Sequence, residues 1–241
     1  MSYKNKLTNY QYDCPVIIGK NKIFSDYISN YSKKAQGEGL GLFSFSISVF
    51  FIIILYFFFF FSNKKNFFFL HSTIFFYKKK PTDLGAGPGG AFSKYFKHCK
   101  LDGCDADEDV VNSFPKENYQ KTFPFRLGTQ KLPYEDGAKD FVICSCVIQH
   151  LDSFAQLEEG LKEIARVIKS GGTFFLLFKS GNNDTLLTRF NGHYKEQRTF
   201  RVYHPDDVTE LLNKLGLEVE EKELYVDNNW IPYTQLILRK K

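Results

Sequence analysis

The sequence predicts an α/β domain in which a mostly parallel sheet is covered by helices, and three observations carry that prediction. Beyond residue 80, short apolar runs of strand length alternate with stretches of helical periodicity, a pattern that crossover connections between parallel strands produce. A glycine-rich turn, Thr82-Asp83-Leu84-Gly85-Ala86-Gly87-Pro88-Gly89-Gly90-Ala91-Phe92, stands where a first strand would hand over to a first helix. The length of 241 residues and the 43% hydrophobic content are enough for one such domain with a full core.

The elements follow in order. Ile23, Phe24, Tyr27, Ile28 and Tyr31 recur at helical spacing and predict an amphipathic helix over Lys22 to Lys34, after which AQGEGL reads as a loop. Residues 1–40 are thus expected to be the N-terminal helical segment of the domain. Strands are expected at Leu101 to Asp105, Phe123 to Gly128, Phe141 to Cys146, Thr173 to Phe178, Leu217 to Tyr225 and Thr234 to Arg239. Helices are expected at Glu158 to Ile168 and Pro205 to Leu215. The second has Pro205 and two acidic residues at its start and Gly216 just past its end. Lys179 to His204 reads as a long polar connection, either a lid over a ligand pocket or a surface excursion with a short helix at Thr185 to Phe190.

One tract breaks this order. Fourteen of the 27 Phe lie between Phe43 and Phe76, and residues 41–80 hold five lysines and no acidic residue. Removing them leaves 27 basic against 27 acidic residues, so the formal charge of +5 belongs to the tract and does not point the rest toward nucleic acid. Leu42 to Phe61 is uncharged and, at 1.5 Å per residue, long enough to cross a hydrocarbon layer of about 30 Å. A membrane anchor through 42–61 is one reading. A buried hairpin is a second, weakened because poly-Phe has no alternation to fix a strand register. The reading carried forward is a disruptive insertion over about 41–80 derived from translated AT-rich intron, whose codons specify Phe, Ile, Lys, Asn, Tyr and Leu. A message continuous through codons 41 to 80 in all mature transcript would end it. Membrane partnership is expected only if 42–61 is a genuine span. Without an apolar leader after Met1, and with five cysteines in no metal-ligand spacing, the expectation is a cytoplasmic protein with reduced thiols and no metal.

The chemistry concentrates in the glycine turn. Gly85, Gly87 and Gly90 satisfy G-x-G-x-x-G, which admits a nicotinamide dinucleotide. Charge separates the cofactors: a carboxylate at Asp83 would repel a pyrophosphate and attract the α-ammonium of S-adenosylmethionine (SAM). Asp105 lies about 20 residues past the turn, where a carboxylate can accept hydrogen bonds from ribose hydroxyls.

Asp83 to Gly89 resembles motif I of the class I, seven-strand SAM-dependent methyltransferases, and Leu161 to Gly172 is similar to the helix, turn and fifth-strand entry of the methyltransferase type 11 group. The resemblance implies a Rossmann-like, doubly wound sheet, a domain over 81–241, SAM as cofactor and a methyl acceptor that is a small molecule. It also implies a cofactor site built from Asp83, Gly85, Ala86, Gly87, Gly89, Asp105, Ala106, Thr129, Gln130, Ser145 and Cys146. The family more often has Asp where Thr129 stands. Cys146, Gln149 and His150 are expected at the ligand edge, with His150 as the candidate proton acceptor. Arg189 and Arg198 would suit an anionic acceptor. The departure is the first strand, whose slot reads Lys78-Lys79-Lys80-Pro81-Thr82; three lysines and a proline are poor material for a strand buried on both faces. That slot makes a membrane-tethered or catalytically impaired protein on this fold the alternative, ahead of an NAD-binding oxidoreductase.

Overall fold

The computed structural model describes residues 80–93, 96, 99–182, 184–191, 196–226 and 231–241. The expected helix over 22–34 and positions 41–79 of the insertion, with the 42–61 run, lie outside the described residues. Among the described residues, no helix is long and apolar enough to cross a membrane.

Strands β1 (Pro81–Leu84), β2 (Leu101–Asp105), β3 (Tyr119–Pro124), β4 (Lys139–Ser145), β5 (Ile168–Lys179), β8 (Leu217–Val226) and β9 (Pro232–Lys240) form one sheet among the described residues. Its order is β3-β2-β1-β4-β5-β9-β8. The first five strands run parallel, and β9 joins β5 and β8 antiparallel. Chain order reverses at β1, which has β2 on one side and β4 on the other. In open α/β sheets that reversal opens a ligand crevice beyond the C-terminal ends of the strands.

Successive strand residues face opposite sides of the sheet. Leu84, Cys104, Val142, Cys144, Phe174, Leu176 and Phe178 share one face and pack with Leu157, Leu161 and Ile164 of helix α2 (Phe154–Val167) and Val208 and Leu212 of helix α3 (Pro205–Lys214). On the opposite face Ala86, Leu101 and Tyr119 pack with Val110, Val111 and Phe114, from and just beyond the short helix α1 (Glu108–Asn112). Phe92 meets Phe175 edge-on at 5.9 Å between ring centroids.

Several expectations change. β1 does form, but it consists of Pro81-Thr82-Asp83-Leu84, so the lysines precede it and the motif's own residues fill the central slot. Proline is tolerated as the first residue of a strand, where its missing N–H removes no interior ladder bond. β3 lies four residues earlier than expected. It borders the sheet, with Gln120, Lys121 and Thr122 exposed, so its sequence is polar. The apolar run at Phe123 to Leu127 marks the exit from β3, where Phe125 and Leu127 turn into the core. α2 starts four residues early because the Ser153 side chain caps it, accepting from Gln156 N at 3.2 Å. Within the 179–204 connection, residues 185–191, where a short helix is one expectation, and 196–202 are strands. Strands β6 (Thr185–Asn191) and β7 (Glu196–Val202) pair antiparallel as a hairpin.

Candidate cofactor and acceptor site

The turn after β1 is held in left-handed backbone at Gly85, Gly87, Gly89 and Gly90, with φ between +60° and +75°. Packing demands two of these glycines outright. A Cβ at Gly85 would lie 2.3 Å from Val147 Cγ2, and one at Gly90 would lie 2.2 Å from the Tyr119 hydroxyl. A Cβ at Gly89 would meet nothing within 4 Å, so that side of the turn faces open space. The turn continues in i→i+3 bonds, Ser93 N to Gly90 O at 3.0 Å and Phe96 N to Ser93 O at 3.1 Å. Of the stretch from Phe92 to β2, where a helix is expected, residues 94, 95, 97 and 98 lie outside the described residues, and Phe92, Ser93, Phe96 and Cys99 are not in an α-helix.

Asp83 lies beneath the turn and is 1% exposed. Its Oδ2 accepts from the Tyr119 hydroxyl at 3.3 Å, while Oδ1 is buried without a hydrogen-bond partner. Burial pushes the carboxyl pKa up to about 7; the Tyr119 bond opposes the rise and the Asp105 charge adds to it. Asp83 is therefore not the fully charged group that the sequence suggests, and an incoming cation would shift it toward carboxylate. Tyr119 is held by stacking on Phe114, with centroids 4.9 Å apart, and packs where Gly103 has no side chain. Nothing in its sequence context marked it.

Asp105 ends β2, and its carboxylate ties two loops together. Oδ2 accepts from Gly87 N at 3.0 Å and Oδ1 from Asp107 N at 3.1 Å. Burial raises its pKa and these backbone donors oppose the rise. Ala106 follows it, exposed, and Ala86 is buried in the turn.

Thr129 and Gln130 are exposed on the turn after β3. The Thr129 hydroxyl donates to Arg126 O at 3.2 Å, and Gln130 Oε1 accepts from Arg126 N at 2.7 Å. Both side chains thus brace their own turn. Gly128 seats that turn against α2, since a Cβ there would lie 2.5 Å from Gln156 O.

Ser145 ends β4, and Cys146 leaves the strand with φ +57°, an uncommon value for a residue other than glycine. A single 3-10 turn, Ile148–His150, follows. Val147 touches Gly85, Gln149 Oε1 accepts from Lys179 N at 3.3 Å, and the His150 ring meets Phe200 of β7 at 5.3 Å. The surrounding protein pushes the His150 pKa down to about 4, and Arg198 and Lys179 add cationic repulsion. The residue keeps contact with solvent, which screens part of this effect, so the firm consequence is a neutral imidazole at pH 7.

The structure adds residues that sequence reading did not single out. Lys179 ends β5 at 4% exposure, opposite Tyr233 of β9, and its Nζ contacts the Tyr233 hydroxyl. Phe200 lies beside them. The available signal was a lysine ending the apolar run Thr173 to Phe178 at the ligand edge. Arg189 and Arg198 are cross-strand partners in the hairpin.

Comparison with known proteins agrees with this architecture. The sequence profile of a family described as "Methyltransferase domain" matches residues 82–176. A Bacillus subtilis protein described as "Uncharacterized methyltransferase YcgJ" is 32% identical over 123 residues, which is 48% of this chain and 47% of that protein. The match thus spans about half the length of that curated relative. A SAM-dependent methyltransferase from Methanosarcina mazei shares the fold with a TM-score of 0.56 at 16% identity, over 67% of this chain and 92% of that one. So does a Burkholderia thailandensis 1,6-didemethyltoxoflavin-N1-methyltransferase solved with 1,6-didemethyltoxoflavin and S-adenosylhomocysteine, with a TM-score of 0.50 at 14% identity over 68% and 72% of the two chains. The sheet order agrees with the fold of these solved methyltransferases, and residues 82–176, which hold the glycine turn, match the methyltransferase-domain family.

Proposed function

We propose that this chain transfers a methyl group from SAM to a small-molecule acceptor. The observation that carries the reading is Asp83, a buried carboxyl with one unpartnered oxygen beneath a turn of four left-handed glycines. Such an oxygen suits an ammonium N–H and not a phosphate, and the open side of Gly89 leaves room for a ligand against the backbone. Asp83, the turn from Gly85 through Ala86 and Gly87 to Gly89, and Asp105 with Ala106 would hold the amino-acid and ribose ends of the cofactor. Thr129, Gln130, Ser145 and Cys146 would border its base.

When bound, SAM supplies an electrophilic methyl on a sulfonium, which an acceptor lone pair displaces in line. The protein's task is then to orient the acceptor and exclude water. His150, neutral at pH 7, takes the proton released by a hydroxyl or amine acceptor. His150→Gln should lower turnover by about 10²-fold with SAM affinity essentially unchanged. Unchanged turnover on the true acceptor would refute the role. Titration calorimetry of the full chain with SAM and with NAD tests the cofactor reading. Binding of SAM alone is expected, and binding of NAD alone would overturn it.

A further inference from the structure

Resting on that methyl-transfer reading, we infer that Tyr119 is a positioning residue for the cofactor: its hydroxyl engages Oδ2 of Asp83, so that the α-ammonium of SAM and a proton compete for the oxygen left over, Oδ1. Three observations point there.

The first is that space is cleared for this ring. Tyr119 opens β3, is 5% exposed and stacks on Phe114. To reach β1 it crosses β2 over Gly103, whose register partner on β1 is Asp83. A Cβ at Gly103 would lie 2.4 Å from the ring, and one at Gly90 of the glycine turn 2.2 Å from the hydroxyl. Two separate elements thus lack side chains where the ring passes, and the hydroxyl ends 3.3 Å from Asp83 Oδ2. Packing alone would be served by phenylalanine, so the hydroxyl carries the chemical purpose of this reach.

The second is that the hydroxyl is a fixed donor. Burial and the Asp83 charge push the phenol well above its ordinary range, so it stays protonated. The Ser93 hydroxyl donates to the phenol oxygen and itself accepts from Asn118 Nδ2 at 3.1 Å, a chain of bonds that runs toward Asp83. With Tyr119 donating to Oδ2, the proton of a neutral Asp83 resides on Oδ1, which is buried and has no hydrogen-bond partner among the described residues.

The third is the set of charges around the carboxyl. Among the described residues, the titratable groups that act on Asp83 are Tyr119 from β3, Cys104 and Asp105 from β2, and Cys144 from β4. Burial keeps both thiols protonated, and the Asp105 charge favours the proton on Asp83. None of these groups is a cation, so the positive partner that completes the carboxylate is the ligand's ammonium. The bond from Tyr119 works the other way from Asp105 and favours the carboxylate. Cofactor binding then releases the Oδ1 proton to solvent, and Tyr119 sets the pH above which that oxygen is free to accept.

The test is calorimetric titration of the full 241-residue chain, in mild non-ionic detergent, with S-adenosylhomocysteine from about pH 5 to about pH 8.5. Affinity of the parent should rise by up to about 10-fold per pH unit and level off near pH 7, where Asp83 titrates. Tyr119→Phe, which keeps the ring, should move that level-off point up by about one pH unit. The ligand's own ionisation is common to both chains and cancels in the comparison. Asp83→Asn should abolish the rise. A side chain that only packs would weaken binding equally at every pH, so an unmoved level-off point overturns the inference. A parent affinity independent of pH, or a rise that survives in Asp83→Asn, overturns it as well. If Tyr119→Phe fails to fold, Ser93→Ala, which removes the bond that polarises the same hydroxyl, decides by a smaller upward move, and no move overturns the inference. Each of these failures leaves the cofactor reading intact. Absence of S-adenosylhomocysteine binding at every pH would instead remove the methyltransferase reading on which it rests.

Discussion

Asp83 is buried in the strand that feeds the glycine turn, and its carboxyl titrates near pH 7 because burial penalises the charged form more than the Tyr119 hydroxyl compensates. A carboxyl whose folded pKa exceeds its unfolded value binds its proton more tightly in the folded state. Stability is therefore greatest while the group is protonated and falls as pH rises from about 4 to about 7. Asp83→Asn should remove this loss. The stability of the ligand-free variant relative to the parent should rise from about pH 5 to about pH 8, by at most about 3 kcal/mol, measured by denaturant melts at both values. The same variant should bind SAM about 10-fold or more weakly, because the α-ammonium loses its counter-charge. Gly90→Ala acts on the same contact from above. Its Cβ would meet the Tyr119 hydroxyl, and its backbone would be held at φ +60°, so a loss of about 1–3 kcal/mol is expected in thermal melts.

At the scale of elements, β1 is four residues long while its neighbour β4 has seven. A polar arrangement surrounds the N-terminal ends of these strands. Lys139 of β4 and Asp102 of β2 form a buried ion pair, 3% and 5% exposed, and Lys139 Nζ lies 3.6 Å from the Tyr134 ring centroid. Asp140 accepts from Lys80 N at 3.0 Å and pairs with Lys169. Burial lowers the Lys139 pKa and Asp102 opposes the fall, so the buried ammonium leans on its carboxylate partner. Lys139→Ala should thus cost about 3–5 kcal/mol in urea unfolding, whereas Lys139→Met with Asp102→Leu should be close to neutral. A small cost for the single substitution would show that water reaches Asp102.

For the whole molecule, the decisive question is what precedes Pro81. A parallel strand buried on both faces is ordinarily an apolar run, and here three lysines stand before it. We expect that replacing residues 41–80 by a short apolar link raises soluble yield and SAM affinity, since such a link would extend β1 toward the length of β4. Equal SAM binding by the two forms in calorimetry would contradict this.

The sequence alone determined the fold class, the position of the glycine turn, β2 to the residue, half of β5 and most of α3, β8 and β9. These features rest on local rules: glycine where φ is positive, Pro205 and two acidic residues at the start of α3 with Gly216 after it, and continuous apolar runs for buried strands. Tertiary structure alone decided the rest. β3 took a polar stretch because border position, and not apolarity, defines it. The 185–202 hairpin became visible only as a pairing of two strands, and Asp83 lost full ionisation because burial outweighs what a sequence displays. Tyr119, Lys179 and Phe200 come from β3, β5 and β7, and joining such distant residues in one site is the work of long-range packing, which no local pattern encodes.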